Sequence, residues 1–209
     1  MDHTILIVDD SPYIVDGLVA LLKRKGYNPI AANGGDEAIA ILTTGVPDLI
    51  LLDIMMEPMD GWETLDRIKA NPATRDIPVL MFSAKKITSD EARDHRMNIE
   101  DFVSKPVSPA HLLESIQRIF ERRADVEKGA IGARDAGIDQ LIIDEYASLR
   151  KGIDVDKNLL AVLKNSSGMN MPGRDVSAED LNAIKALEEK IQSEEKRLAE
   201  IAGKFTHVF

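Results

Sequence analysis

The chain contains no cysteine, few aromatic residues, and no apolar run long enough to cross a membrane. The absence of cysteine excludes disulfides and thiolate metal sites. No basic-then-apolar segment typical of a signal peptide opens the sequence, so we expect a cytoplasmic protein with no membrane partner. A hydrophobic content of 44% and a charged content of 30% are typical of a globular protein.

A surplus of basic residues is also lacking. The formal net charge is −10, and the acidic excess is spread over both halves of the chain. Modules that bind duplex nucleic acid usually carry clustered lysine and arginine, because they neutralise phosphates. The charge balance therefore disfavours nucleic acid as a partner.

Two apolar runs end abruptly in carboxylates. The run Thr4–Val8 is followed by Asp9 and Asp10, and the run Leu49–Leu52 is followed by Asp53. Continuous aliphatic runs of this length predict strands that are buried on both faces, as in parallel sheets. In such sheets ligands bind beyond the carboxyl ends of the strands, so we expect the three carboxylates at a functional edge.

Strand and helix patterns alternate five times within residues 1–123. Ser11 and Pro12 are typical of a helix start, a weaker helical pattern lies near residues 89–97, and two further strands end at Ser83 and just before Lys105. This alternation predicts a doubly wound parallel sheet with helices on both faces.

The remaining residues have a different character. Residues 124–137 are rich in glycine and small side chains, which predicts a linker or an extension of the preceding helix. Residues 138–209 predict a helical region, with one helix ending near Gly152 and a long last helix over about 177–202. That last helix carries apolar residues at heptad spacing, which leaves open packing on neighbouring helices or a coiled-coil dimer. These residues are Ile184, Leu187, Ile191, Leu198 and Ile201.

The residues at the strand ends suggest a chemistry. Asp9, Asp10 and Asp53 form a set of hard oxygen donors, which suits Mg²⁺ and requires a compensating cation. Ser83 and Lys105 end strands at the same sheet edge. A hydroxyl and an ammonium group close to carboxylates and a metal ion are typical of a phosphoryl-transfer site.

With these residues in place, the sequence resembles the receiver domain of two-component response regulators over about residues 3–122. The resemblance depends on the pair Asp9-Asp10, the segment DIMMEPMDG that begins at Asp53, the pair Ser83-Ala84, and Lys105-Pro106. It implies a flavodoxin-like, five-stranded parallel sheet in the order 2-1-3-4-5. The receiver would span residues 1–123.

The resemblance also implies roles for the acidic residues. Asp53 is expected to accept the phosphoryl group as a carboxylate nucleophile. Asp10 and Asp53 are expected to ligate Mg²⁺ with the backbone carbonyl of Met55, and Asp9 is expected to act mostly through bound water.

Further roles follow for residues at the ends of the last two strands. Lys105 is expected to neutralise a phosphoryl oxygen, and the Lys105–Pro106 peptide bond is expected to be cis. Ser83 and Phe102 are expected to form the conformational switch. The chain departs from the family pattern at Glu57-Pro58, and at Phe102, where the switch residue lacks a hydroxyl.

The function implied by the resemblance is that of a response regulator. It would take a phosphoryl group from a sensor histidine kinase onto Asp53 and signal through a helical protein-interaction or dimerisation region, with no separate enzymatic output. The sequence does not decide whether the protein forms a homodimer. Such a dimer could use the face formed by the helix near residues 89–97, the fifth strand and the helix that begins at Ser108-Pro109, or it could use the C-terminal helix. The alternative is a transcriptional regulator with a divergent DNA-binding region near Ile138–Lys164.

Overall fold

The structure is a computed structural model of the chain, in which strands and helices alternate in the N-terminal half. Within the described residues, no helix is both long and apolar enough to cross a lipid bilayer. The helix predicted near residues 89–97 lies outside the described residues, apart from positions 95 and 97. The described residues are 3–84, 95, 97–106, 108–166 and 177–205.

The chain divides into two compact units. The first contains residues 1–86 and 98–113, and the second contains residues 87–97 and 114–209. The boundary between residues 113 and 114 falls inside a helix, Pro109–Asp135. For residues 124–137 the sequence predicted either a linker or an extension of the preceding helix. The helix includes residues 124–135, so most of this segment is a helix extension.

Five parallel strands form one sheet in the first unit: β1 Thr4–Val8, β2 Asn28–Ala32, β3 Leu49–Leu52, β4 Val79–Ser83 and β5 Asp101–Ser104. Their order is β2-β1-β3-β4-β5, which confirms the predicted flavodoxin-like fold. All four residues of β3 are 0% exposed, as are the last four of β1. The apolar runs of the sequence thus form deeply buried strands, as parallel sheets covered on both faces require.

The connecting helices of this unit are α1 Pro12–Arg24, α2 Gly35–Leu42 and α3 Gly61–Ala70, and α4 Pro109–Asp135 begins here. Proline stands in the first turn of α1 after Ser11, as predicted. The carboxylate of Asp60 accepts a hydrogen bond from the backbone N–H of Glu63 at 2.8 Å, so it caps α3. The loop that follows Asp53 therefore ends at Asp60, directly before α3 begins.

The strand register brings the functional edge together. Val8 pairs with Leu52, Leu52 pairs with Met81, and Ser83 pairs with Ser104. Since paired residues lie side by side, the residues that follow β1, β3 and β5 leave the sheet at the same edge. Asp9, Asp53 and Lys105 therefore start from neighbouring backbone positions.

The second unit contains the C-terminal part of α4 together with α5 Gln140–Ser166 and α6 Ala178–Phe205. Helices α5 and α6 run antiparallel, because Glu145 near the start of α5 pairs with Arg197 near the end of α6 at 2.7 Å. Lys164 near the end of α5 pairs with Glu188 at 2.6 Å. Ala133 of α4, Ile143 of α5 and Ile201 of α6 form part of one buried apolar cluster.

The helix end predicted near Gly152 is wrong, because α5 continues through that residue to Ser166. A glycine inside a helix costs about 1 kcal/mol relative to alanine. Gly152 is buried, and the packing of the long helix outweighs this local preference.

The apolar stripe of α6 packs within the chain itself. Ile184, Ile191 and Ile201 are 2%, 6% and 0% exposed. At the start of α6, the Ser177 hydroxyl oxygen accepts a hydrogen bond from the Asp180 backbone N–H at 3.0 Å. The burial of the three isoleucines favours packing on neighbouring helices, rather than a dimer seam, as the role of the heptad pattern.

Candidate functional site

Asp9, Asp53 and Lys105 meet at the carboxyl edge of the sheet. The ammonium group of Lys105 lies 2.6 Å from a carboxylate oxygen of Asp9 and 2.8 Å from one of Asp53. Asp9 is 0% exposed and Asp53 is 5% exposed. Since buried carboxylates are costly unless they are paired, Lys105 stabilises both of them at once.

Backbone contacts hold the two carboxylates. The N–H of Ser11 donates to Asp9 at 2.8 Å, and the N–H of Met55 donates to Asp53 at 3.2 Å. The N–H of Asp53 donates to the carbonyl of Val8 at 2.9 Å, which ties the end of β3 to β1. Each side chain therefore has a defined direction before any ligand binds.

Burial raises the pKa of the Asp9 carboxyl, because it disfavours the charged form. The hydrogen bond from Lys105 and that from Ser11 oppose this effect, and the negative charge of Asp53 adds to it. The site thus carries an electrostatic cost that Lys105 reduces but does not remove.

Of the other expected metal ligands, Met55 contacts Asp53 through its backbone N–H, whereas the Asp10 carboxylate is directed to another backbone group. Asp10 is exposed, and its carboxylate accepts a hydrogen bond from the N–H of Glu57 at 3.3 Å. The Met55 side chain is 56% exposed. Among the described residues, no three acidic or histidine side chains converge in the manner of a metal site. The donor set still fits a hard cation, since all the side-chain donors are carboxylate oxygens at one edge.

The expected switch residues lie at the ends of neighbouring strands. Ser83 is 0% exposed, and its carbonyl accepts a hydrogen bond from the N–H of Lys105 at 2.8 Å. Phe102 is 4% exposed and pairs with Met81 in the sheet. Lys105 is thus connected to β4 through its backbone and to Asp53 through its side chain, and the Lys105–Pro106 peptide bond is cis.

Two residues of the site were not singled out from the sequence. The ring centroid of Phe82 lies 4.2 Å from the Lys105 ammonium. Gly61 lies against the backbone of Asp53, because a Cβ atom at this position would overlap the Asp53 carbonyl oxygen and approach the Cα of Ile54 to 2.7 Å. Gly61 is the last residue of the segment DIMMEPMDG, so the sequence resemblance could have indicated it. Phe82 has the sequence pattern of an ordinary core residue.

The arrangement agrees with comparisons to known proteins. Residues 5–117 match the family model of the response regulator receiver domain. The chain belongs to the response regulator receiver family. Residues 122–208 match a second family model, Metanogen output domain 2, so the region after the receiver domain is an extension with a description of its own.

Individual relatives agree with this assignment. The phosphate regulon transcriptional regulatory protein PhoB of Escherichia coli is 34% identical over 122 residues, which is 58% of this chain and 53% of that protein. The chain thus spans about half the length of that relative. PhoB of Klebsiella pneumoniae is 26% identical over 208 residues, 100% of this chain and 83% of that protein.

Solved structures share the fold of the first unit. The receiver domain of a signal transduction histidine kinase from Syntrophus aciditrophicus has a TM-score of 0.52 and 32% identity, covering 57% of this chain and 90% of that one. The chemotaxis protein CheY4 of Vibrio cholerae has a TM-score of 0.54 and 26% identity, covering 57% of this chain and 99% of that one. The predicted resemblance to receiver domains is confirmed.

Proposed function

We propose that this receiver takes a phosphoryl group from a sensor histidine kinase onto Asp53, and that the helical extension transmits the resulting change in the cytoplasm. The observation that carries the proposal is the Lys105 ammonium bound between two buried carboxylates, 2.6 Å from Asp9 and 2.8 Å from Asp53. A fixed cation beside a nucleophilic carboxylate is what a phosphoryl acceptor requires.

In the proposed reaction a carboxylate oxygen of Asp53 attacks the phosphorus atom of a phosphohistidine. A P–O bond forms, the P–N bond breaks, and the leaving imidazole takes up a proton. The Met55 N–H bond to Asp53 orients one carboxylate oxygen. The Lys105 ammonium then neutralises one phosphoryl oxygen, since it already contacts Asp53.

A magnesium ion would be held by Asp10 and Asp53, with the Met55 carbonyl as a further ligand and Asp9 acting through water. When bound, it would supply positive charge to the phosphoryl oxygens. Asp10 is exposed, and its carboxylate accepts a hydrogen bond from the Glu57 N–H at 3.3 Å, a long contact that suits a ligand that has to turn toward an ion.

The proposed switch runs from the acceptor to the fifth strand. The phosphoryl group would draw the Ser83 hydroxyl inward, and Phe102 would move into the space that Ser83 leaves. Both residues are buried, so the two packing arrangements are discrete. The helical extension of residues 122–208 is the proposed output, through protein interaction or dimerisation.

An apolar groove beside the site gives the kinase a docking surface. Its volume is about 760 Å³, and it lies between α1 and the start of α4 with Lys105 and Phe82 among its lining residues. Because Lys105 contacts Asp53, a donor protein bound in this groove would carry its phosphohistidine toward the acceptor. Exposed Tyr13, 89% accessible, stands at its rim.

The direct test is incubation with a small phosphodonor and Mg²⁺, followed by intact mass measurement. We expect one added phosphoryl group on wild type and on Asp16→Asn, an exposed acid of α1, and none on Asp53→Asn. Phosphorylation of Asp53→Asn at the wild-type rate would reject the site.

A second candidate function is transcriptional regulation, which the similarity to the PhoB transcriptional regulatory proteins favours. The acidic balance of the chain counts against it. Binding to DNA that weakens steeply with added salt would support this candidate, and no binding at low salt would reject it.

A further inference from the structure

An aromatic ring lies close to the Lys105 ammonium, in addition to the two carboxylates. The Phe82 ring centroid lies 4.2 Å from the ammonium, within the distance at which cations and aromatic faces attract each other. Phe82 is 1% exposed, and the Lys105 side chain is 14% exposed. Since this attraction grows when water is excluded, the buried ring is a substantial partner for the ammonium.

The Lys105 ammonium needs a contact that does not depend on the state of the acceptor. Its side chain is long and flexible, and its two carboxylate partners are both expected to change when a phosphoryl group arrives. Phe82 belongs to β4 and pairs with Val103 of β5, so its backbone is held by the sheet, and its side chain is buried. Among the described contacts of the ammonium, the ring differs from the two carboxylates because it is uncharged and does not react with a phosphoryl group.

We propose that Phe82 is a positioning residue for phosphoryl transfer, which holds the Lys105 ammonium over its ring so that it points at the acceptor Asp53. This inference depends on the proposed function and adds a residue to it. Phe82 does not touch the phosphoryl group and acts only through Lys105. A leucine at this position would keep the apolar packing but lose the negative face of the ring.

The test compares Phe82→Leu with Phe82→Tyr and with Met81→Leu, which changes the neighbouring buried residue of the same strand. With a small phosphodonor and Mg²⁺, we expect Phe82→Leu to be phosphorylated about 2- to 30-fold more slowly. Phe82→Tyr keeps the aromatic face and should retain the wild-type rate, as should Met81→Leu. Urea unfolding of each variant checks that the fold is retained.

A double-mutant cycle with Lys105→Met separates positioning from packing. If Phe82 acts through Lys105, then Phe82→Leu has no further effect on the rate once the ammonium is gone. The inference would be overturned if the double variant were slowed by the product of the two single-variant factors, or if Phe82→Leu were phosphorylated at the wild-type rate.

A readout that needs no phosphoryl transfer is the NMR shift of the Lys105 methylene protons next to the ammonium. Protons above an aromatic face are shifted upfield, so we expect this shift in wild type and Phe82→Tyr and its loss in Phe82→Leu. Absence of the shift in wild type would overturn the inference. If wild type shows the shift but accepts no phosphoryl group, the proposed function fails, and with it any role for Phe82 in transfer.

Discussion

Replacement of Gly61 by alanine is expected to disable the acceptor while the fold persists. Gly61 is the first residue of α3, and its N–H donates to the Ile54 carbonyl at 2.9 Å. The added methyl group would overlap the Asp53 carbonyl oxygen and lie 2.7 Å from Ile54 Cα. These neighbours are backbone atoms, so no side chain can turn away to make room.

The magnitude follows from the size of the overlap. To reach ordinary contact distance, α3 and the backbone at Asp53 have to separate by about 1 Å, and overpacking of this kind costs about 1–3 kcal/mol of stability. A displacement of about 1 Å at a reacting group can lower a rate about 100-fold. We therefore expect Gly61→Ala to stay folded and to accept a phosphoryl group about 100-fold more slowly.

The assay is the time course of mass increase with a small phosphodonor and Mg²⁺, with urea unfolding measured in parallel. Gly17→Ala is the matched control, because a Cβ atom at Gly17 meets nothing within 4 Å. Gly17 lies inside α1, so this change should raise stability by up to about 1 kcal/mol and leave the rate unchanged. A wild-type rate in Gly61→Ala would refute the reasoning, since the acceptor would then tolerate a displaced backbone.

Three further outcomes are expected. Burial raises the pKa of the Asp9 carboxyl above its ordinary value, so its protonated form stabilises the fold at low pH and this stabilisation is lost as the pH rises. In EDTA, the free energy of unfolding measured with urea should therefore decrease less with rising pH in Asp9→Asn than in wild type. Ile201→Ala, at a fully buried position, should lower the free energy of unfolding by about 2–4 kcal/mol, whereas Leu141→Ala, 76% exposed, should change it by less than about 0.5 kcal/mol. Lys164→Glu should cost less than about 1 kcal/mol in thermal unfolding, and adding Glu188→Lys should restore it, since this pair is partly exposed.

The sheet could be predicted from the sequence because burial on both faces leaves a clear signature. Uninterrupted runs such as Leu49–Leu52 occur where neither face meets water. Each run ends in a polar residue, so the sequence also indicates which edge carries Asp9, Asp53 and Lys105. Parallel pairing then brings those ends together, and the structure has them at 2.6 and 2.8 Å through Lys105.

The course of α5 could not be predicted from local preference. Gly152 has the appearance of a helix end, yet its burial in a packed unit decides the outcome. The partners of that packing are distant in sequence, as the pair of Glu145 and Arg197 shows. Such long-range contacts leave little trace in a single sequence.

Phe82 was missed, and the direction of the Asp10 side chain was not predicted, for a different reason. An aromatic residue in a buried strand is usually part of the core, and only the coordinates show the ring 4.2 Å from a charged group. Asp10 has the same sequence signal as Asp9, but its carboxylate lies by the Glu57 N–H and outside the Lys105 cluster. Side-chain direction at a strand end depends on the loop beside it, which the pattern of apolar residues does not specify.

The central claim is that Asp53 is the phosphoryl acceptor, and reductive trapping tests it most directly. Borohydride converts an aspartyl phosphate to homoserine, which peptide mass spectrometry locates after treatment with a phosphodonor and Mg²⁺. The account predicts homoserine at position 53 in wild type and no homoserine in Asp53→Asn. Homoserine at Asp9 or Asp10 in place of Asp53, or at no position in a protein that gains phosphate mass, would contradict it.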